Sequence, residues 1–305
     1  MNTDTPRGFA FAGCAFLIWG MLPFYFRALE HVPTLEVIAH RVIWAVPMAL
    51  GVLIWLGRTA DLRAALGRPQ MLAMAFVTAA LISVNWITYV WLIQTGQAME
   101  AALGYYINPI FTVALGAGLL GERLSLRQWG AVALAAAAVV VLTLEAGSLP
   151  LGALLLVFSW GGYSFFKRAL PIGPNQGFAL EALILLPIAL GFVVWTYTQG
   201  ALFAAQAGWG DLLLLVGAGA VTAVPLMLYA NGAKGLTLST IAIAGYTIPT
   251  MIFLISVFIF REPFEGARLV AFPMIWGAMA LYIWEVLRKR RAMLVAQSLP
   301  QQGPG

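Results

Sequence analysis

Two opposite charges sit in the middle of apolar runs, in Ala39-His40-Arg41-Val42-Ile43 and in Ala179-Leu180-Glu181-Ala182-Leu183. An ionisable group well inside a membrane-length helix costs roughly 2.5–3.5 kcal/mol on insertion scales, so each needs a task. Arg41 lies a third of the way into its run, roughly 10 Å deep at a rise of about 1.5 Å per residue. A guanidinium at that depth can hold a carboxylate or a phosphate bidentately. A carboxylate at Glu181 can hold an amine or carry a coupling proton. The structural alternative is that the two meet as a buried ion pair. His40 stands four residues after Glu36, a spacing that shares a helix face. A histidine titrating near neutrality can relay protons there, or can pack through a hydrogen bond while Glu36 reaches the membrane edge.

A second set is polar but uncharged. Asn85 beside Trp86, and Tyr105 with Asn108 before Pro109, place hydrogen-bonding groups in otherwise apolar segments. Pro109 and Pro249 lack an N–H and free the carbonyl four residues earlier, so both are expected to kink their helices. Irregular backbone at such depth is tolerated where it lines a cavity or is buried in protein. A binding site and a packing kink with interhelical hydrogen bonds are the two readings. Trp19, Trp160 and Tyr163 fit an aromatic cavity wall or plain packing, whereas Trp55, Trp129, Trp195 and Trp209 fit an interfacial belt. Glu122 and Glu262, beside Arg123 and Arg261, are expected to anchor loops.

The elements that must hold these groups follow from composition. Of 305 residues, 62% are hydrophobic and 10% charged, against about 45–50% and about 25% in soluble proteins. A membrane helix takes about 20 apolar residues, and ten such runs cover nearly the whole chain. They are expected at 8–26, 34–56, 71–93, 101–120, 126–144, 151–166, 176–197, 212–230, 237–260 and 264–287. No soluble domain fits between them. The net charge of +5 does not indicate a nucleic-acid partner, because the basic residues lie in short loops. With the N-terminus cytoplasmic, Arg7, Arg58, Arg63, Arg68, Arg123, Arg127, Lys167, Arg168, Lys234 and the run 288–291 share one side. Only Arg27, Arg261 and Arg268 fall on the other, so both termini are expected inside. The single cysteine, Cys14, excludes an internal disulfide and is expected to be a small buried apolar side chain.

The chain repeats itself. Phe16-Leu17-Ile18-Trp19-Gly20 matches Val157-Phe158-Ser159-Trp160-Gly161 at an offset of 141. Pro47-Met48-Ala49-Leu50 matches Pro187-Ile188-Ala189-Leu190 at 140, as Pro109 with Glu122 matches Pro249 with Glu262. The expected fold is therefore all-α and integral to the membrane: ten transmembrane helices as two inverted-topology five-helix repeats. The repeats are expected at 1–147 and 148–291, with a disordered cytoplasmic tail at 292–305. Inverted repeats are the architecture of many secondary transporters, with the ligand near the midplane between halves.

No HExxH, GxSxG or Walker A sequence is present, and Asp4, Asp61 and Asp211 all lie in tails or loops, so no catalytic residue, metal or cofactor is expected. A small-molecule substrate and the lipid bilayer are the expected partners; the oligomeric state is left open. A non-transporting scaffold or receptor and an intramembrane enzyme are the rival classes.

Several segments resemble a known group. Ile18-Trp19-Gly20-Met21-Leu22-Pro23-Phe24-Tyr25-Phe26, His40-Arg41-Val42-Ile43-Trp44 and Ala102-Leu103-Gly104-Tyr105-Tyr106-Ile107-Asn108-Pro109 are similar to the RarD proteins. So are Gly121-Glu122-Arg123 with Gln128-Trp129, and Leu238-Ser239-Thr240 with Tyr246-Thr247-Ile248-Pro249-Thr250. RarD belongs to the EamA branch of the drug/metabolite transporter superfamily. The resemblance runs from Gly8 to Glu285. It implies a ten-helix bacterial inner-membrane permease that works by alternating access, with Tyr246 added to the cavity candidates. Related EamA carriers export amino acids and metabolites. One position departs: Gly245 stands where the resemblance leads one to expect a polar residue, often Gln.

Overall fold

The structure, a computed structural model, describes residues 4–120 and 124–298; Glu122 and Arg123, read above as a loop anchor, lie outside them. Twelve α-helices follow one another, and no strand occurs among the described residues. They are α1 (Pro6–Ala28), α2 (Thr34–Trp55), α3 (Thr59–Leu66), α4 (Pro69–Gln94), α5 (Ala98–Leu120) and α6 (Leu126–Ala146). After these come α7 (Leu151–Ala169), α8 (Pro174–Thr198), α9 (Trp209–Lys234), α10 (Leu238–Ala244), α11 (Thr247–Leu254) and α12 (Arg268–Ser298). Local chemistry sets several starts. Thr5 accepts the Gly8 N–H at 3.1 Å ahead of Pro6, and Ser125 with Gln128 forms a reciprocal capping box on α6. Pro69 and Pro174 open α4 and α8, where the missing N–H costs nothing.

Among the described residues, seven helices are long and apolar enough to cross a membrane: α1, α2, α4, α6, α8, α9 and α12. Of the other three expected spans, α5 is a 23-residue helix that carries Glu100, Tyr105, Tyr106 and Asn108, and the apolar part of α7 is the shorter Leu151–Lys167. The ninth expected span is broken. α10 stops at Ala244, α11 begins at Thr247, and a π-helical turn at Ile255–Ile259 follows. Pro249 has no N–H to offer the Gly245 carbonyl, which instead accepts the Ile248 N–H at 3.1 Å. α5, in contrast, runs unbroken through Pro109.

Two further expectations need correction. α12 continues to Ser298, into the stretch expected to be a disordered tail. Cys14 is exposed on the outside of α1, not buried. Lipid accepts a thiol as readily as a protein core does, so apolar character alone does not set a residue's facing.

Large apolar side chains such as Ile54, Phe76, Leu144, Val194, Leu213 and Phe258 point outward, as helices dissolved in lipid require. Inside, α2 packs on α8 and α9, α1 on α9, α4 on α7, α5 on α7 and α11, and α6 on α12. The α2–α9 approach depends on Gly219, where an added Cβ would fall 2.6 Å from the Trp44 carbonyl oxygen. α6 and α12 run antiparallel: Arg127 in the first turn of α6 meets Glu285 in the second half of α12 at 3.3 Å. At the opposite end, Glu145 of α6 accepts the Ala267 N–H just ahead of α12.

Candidate functional site

A cavity of about 810 Å³ opens in the middle of the bundle, walled by α1, α2, α4, α5, α7, α8, α9, α10 and α11. α6 and α12 contribute no lining residue. Of the residues expected at a site, Trp19, Arg41, Asn85, Tyr105, Asn108, Trp160, Tyr163 and Tyr246 all line it, with Pro109 and Pro249 beside them. Glu181 and His40 are not on its wall.

Arg41 is 4% exposed. One turn along α2 from the Gly219 contact, its Nε donates to Thr222 Oγ1 of α9 at 2.6 Å. The absence of a side chain at residue 219 is thus what lets the hydroxyl three residues later reach the guanidinium. The guanidinium carbon lies 4.4 Å from the Trp86 ring centre and 5.4 Å from Phe26, so aromatic faces supply part of its stabilisation. Nη1 is buried and has no acceptor. No carboxylate pairs with Arg41 among the described residues.

The Arg41–Glu181 ion pair, the structural alternative for these two charges, is therefore not formed. Glu181, 2% exposed, holds Lys167 Nζ at 2.6 Å and receives the Tyr163 hydroxyl at 3.4 Å. Residues 14 apart across the α7–α8 turn are closer partners than two charges related only by the repeat. Lys167, with a loop-side position in sequence, bends its long stem back to line the cavity.

An aromatic run joins the two charged ends. Ring centres are 5.9 Å apart for Phe26–Tyr89, 5.6 Å for Tyr89–Tyr105, 6.5 Å for Tyr105–Trp160 and 5.7 Å for Trp160–Tyr163. Trp19 stands elsewhere on the lining, against Tyr229 at 5.5 Å. Polar groups punctuate the run. Asn85 donates to Ser159 Oγ at 3.1 Å and accepts the Tyr105 hydroxyl at 3.3 Å, which uses both ends of its amide. Asn108 is 4% exposed, and neither its Oδ1 nor its Nδ2 has a partner. The buried hydroxyls of Tyr89 and Tyr246 are likewise unpartnered. Tyr106 and Tyr246, repeat mates, stack with centres 6.4 Å apart at 26°.

The Glu36–His40 relay is also absent. Glu36 turns to the loop between α8 and α9 and accepts the backbone N–H groups of Phe203 and Ala204 at 2.9 and 2.7 Å. His40 receives Trp44 Nε1 at 3.3 Å and lies away from the cavity. Glu262 does for α5 what Glu36 does for that loop, accepting the Ala98 and Met99 N–H groups at 2.7 and 2.8 Å. Burial pushes the Glu262 carboxyl above its ordinary range, against the pull of those two amides. Sequence reasoning did not single out Thr222, Tyr89 or Lys167. A hydroxyl in an apolar run gives no distinguishing signal, and Lys167 reads as a loop charge.

Residues 6–144 match the EamA-like transporter family. An uncharacterized transporter of Bacillus subtilis, YojE, is 38% identical over 95% of this chain and 98% of its own length. Proteins named RarD from Streptomyces exfoliatus and Escherichia coli are 35% and 34% identical, over 95% and 94% of this chain and 92% and 97% of theirs. A protein of known crystal structure superposes with a TM-score of 0.58 over 90% of this chain and 96% of its own, at 20% identity, a likeness of fold alone. With matches of this length and identity, the chain belongs to the EamA-like transporter family and is a relative of the RarD proteins.

Proposed function

We propose that this protein is a secondary small-molecule transporter that works by alternating access between two inverted five-helix repeats, residues 1–147 and 148–291. The observation that carries the reading is the central cavity, whose wall draws on both halves while α6 and α12 pair outside it. Reciprocal contacts support the inverted arrangement. Glu36 of α2 reaches the loop after α8, and its repeat mate Gln176 of α8 reaches Asp61 after α2 at 3.2 Å. Glu145 caps the start of α12, and its mate Glu285 holds the start of α6. Each half thus grips the other through equivalent positions, the arrangement needed for one unit to rock against another around a fixed site. Ten membrane crossings, a bacterial inner-membrane location with both termini cytoplasmic, and transport in the export direction complete the proposal; the basic loops support the orientation and the RarD resemblance the direction.

Counterflow in liposomes tests it. Purified protein is expected to exchange a labelled solute for the same solute held inside, saturably and without ATP. Folded protein that exchanges none of a broad set of amino acids, nucleobases, amphenicols and organic acids would favour a scaffold or receptor.

A further inference from the structure

Among the described residues, the cavity holds one formal charge that the protein does not answer. Lys167 is neutralised by Glu181 at 2.6 Å. Arg41, 4% exposed, has a hydroxyl on Nε and no acceptor on Nη1. A cation kept in an apolar site without a counter-charge is costly, and bringing an anion to it recovers that cost. We propose that the ligand of this cavity is an organic anion: an oxyanion head, carboxylate or phosphate, on an aromatic or apolar body. The head sits on Arg41, and the body lies along the rings.

Three observations fix the class. The free Nη1 beside a planar, always-charged guanidinium suits an oxygen acceptor and repels an ammonium. Asn108, with both amide atoms unpartnered on the lining of the same cavity, supplies a donor and an acceptor for a polar substituent. Trp86 and the run from Tyr89 to Trp160 offer faces for an apolar body. A zwitterion fits less well, because Glu181, the carboxylate that reaches the lining residues Lys167 and Tyr163, is already held by both. The inference rests on the transporter reading only in making the bound anion cargo; the binding site itself stands on the geometry.

The test is a matched series on the unmodified full chain in detergent, followed by tryptophan fluorescence: phenylacetate, phenyl phosphate, phenylacetamide, phenethylamine and phenylalanine. Phenylacetate or phenyl phosphate is expected to bind saturably, about tenfold or more tightly than the amide and the amine. Whichever of the two binds more tightly identifies the head group. Amide or amine binding as tight as both anions, tighter binding of phenylalanine than of phenylacetate, or no binding by any member to folded protein would each overturn the proposal. Arg41→Gln is expected to bring anion and amide to parity, and an anion preference that survives in it also overturns the proposal. Should that variant fail to fold, Thr222→Val keeps the cation but frees its Nε; anion binding is then expected to change several-fold with amide binding unchanged, and anion binding that stays the same overturns the proposal. Counterflow separates the two proposals. Anion binding without exchange rejects transport and leaves the site standing, whereas exchange confined to neutral or cationic solutes does the reverse.

Discussion

Arg41 and Glu181 stand 140 residues apart at matching places in the sequence repeat, on helices that pack against each other, and the chemistry around them differs. Glu181 is answered within the protein by an ammonium at 2.6 Å and by a tyrosine hydroxyl. Arg41 is answered by a neutral hydroxyl and the face of Trp86. At the offset of 141 that relates these helices, the repeat mate of Lys167 is Phe26, an uncharged ring 5.4 Å from the Arg41 guanidinium carbon, while the neighbouring Arg27 pairs with Glu30 at 2.9 Å in an exposed position. Matching places in the sequence repeat therefore do not carry matching charge environments. One end of the aromatic run is closed electrically, and the other is left open for a ligand.

The sharpest way to break that contrast is to remove the partner where one exists. Lys167→Met strands Glu181 at 2% exposure, and breaking a buried pair from one side costs about 3–5 kcal/mol. A fall of that size is expected in denaturant unfolding in detergent, with most of it recovered in the Lys167→Met/Glu181→Gln double variant. An unchanged midpoint in the single variant would mean that the pair does not hold the fold.

The next effect bears on how the open end is held. Gly219→Ala pushes a methyl into the Trp44 backbone, an overpacking expected to cost about 1–3 kcal/mol. By moving α9 off α2 it should also lengthen the Arg41–Thr222 contact. Anion binding lost together with stability would tie the two; binding retained despite the loss would separate helix approach from site geometry.

Much of this was legible in the residues. Apolar run lengths predicted the helices, and depth in those runs brought Arg41, Asn85, Tyr105 and Asn108 to one cavity. Partner choice was not legible. Each residue turns the side chain by about 100° around a helix, and helices that are apolar on every face leave no stripe from which the rotation can be read. So Glu36 seemed to face His40 along one helix, yet it binds Phe203 and Ala204 across the bundle. Glu181 seemed to face its repeat mate, yet it binds Lys167. Cys14 faces outward for the same reason. The break ahead of Pro249 was signalled by the proline itself, but the continuous helix through Pro109 shows that the same residue type interrupts one segment and not the other.

The reciprocal latches allow a smaller comparison. Glu36→Gln leaves one of the two N–H groups at Phe203 and Ala204 without an acceptor, at an expected cost of about 1–2 kcal/mol. Gln176→Ala removes a single bond to Asp61 at 3.2 Å and should cost about 0.5–1.5 kcal/mol. Equal losses in thermal melts would indicate that both ends of the bundle are held alike; the predicted inequality makes the Gln176 end the weaker latch.

The smallest expected change in stability falls on the most buried cation. Arg41→Met replaces the guanidinium with an apolar chain and leaves no carboxylate behind, because none pairs with it among the described residues. The loss of the Thr222 bond and of the aromatic contacts is offset by relief of an uncompensated charge, so the melt is expected to move by no more than about 1 kcal/mol, in either direction. Methionine fills irregular apolar space well and sits favourably against Trp86. A residue so deeply placed that contributes so little to the fold, in a variant that has lost anion binding, would be there for the ligand. If instead Arg41→Met unfolds as readily as Lys167→Met, Arg41 is a structural charge like its counterpart, and the difference between the two ends of the cavity disappears.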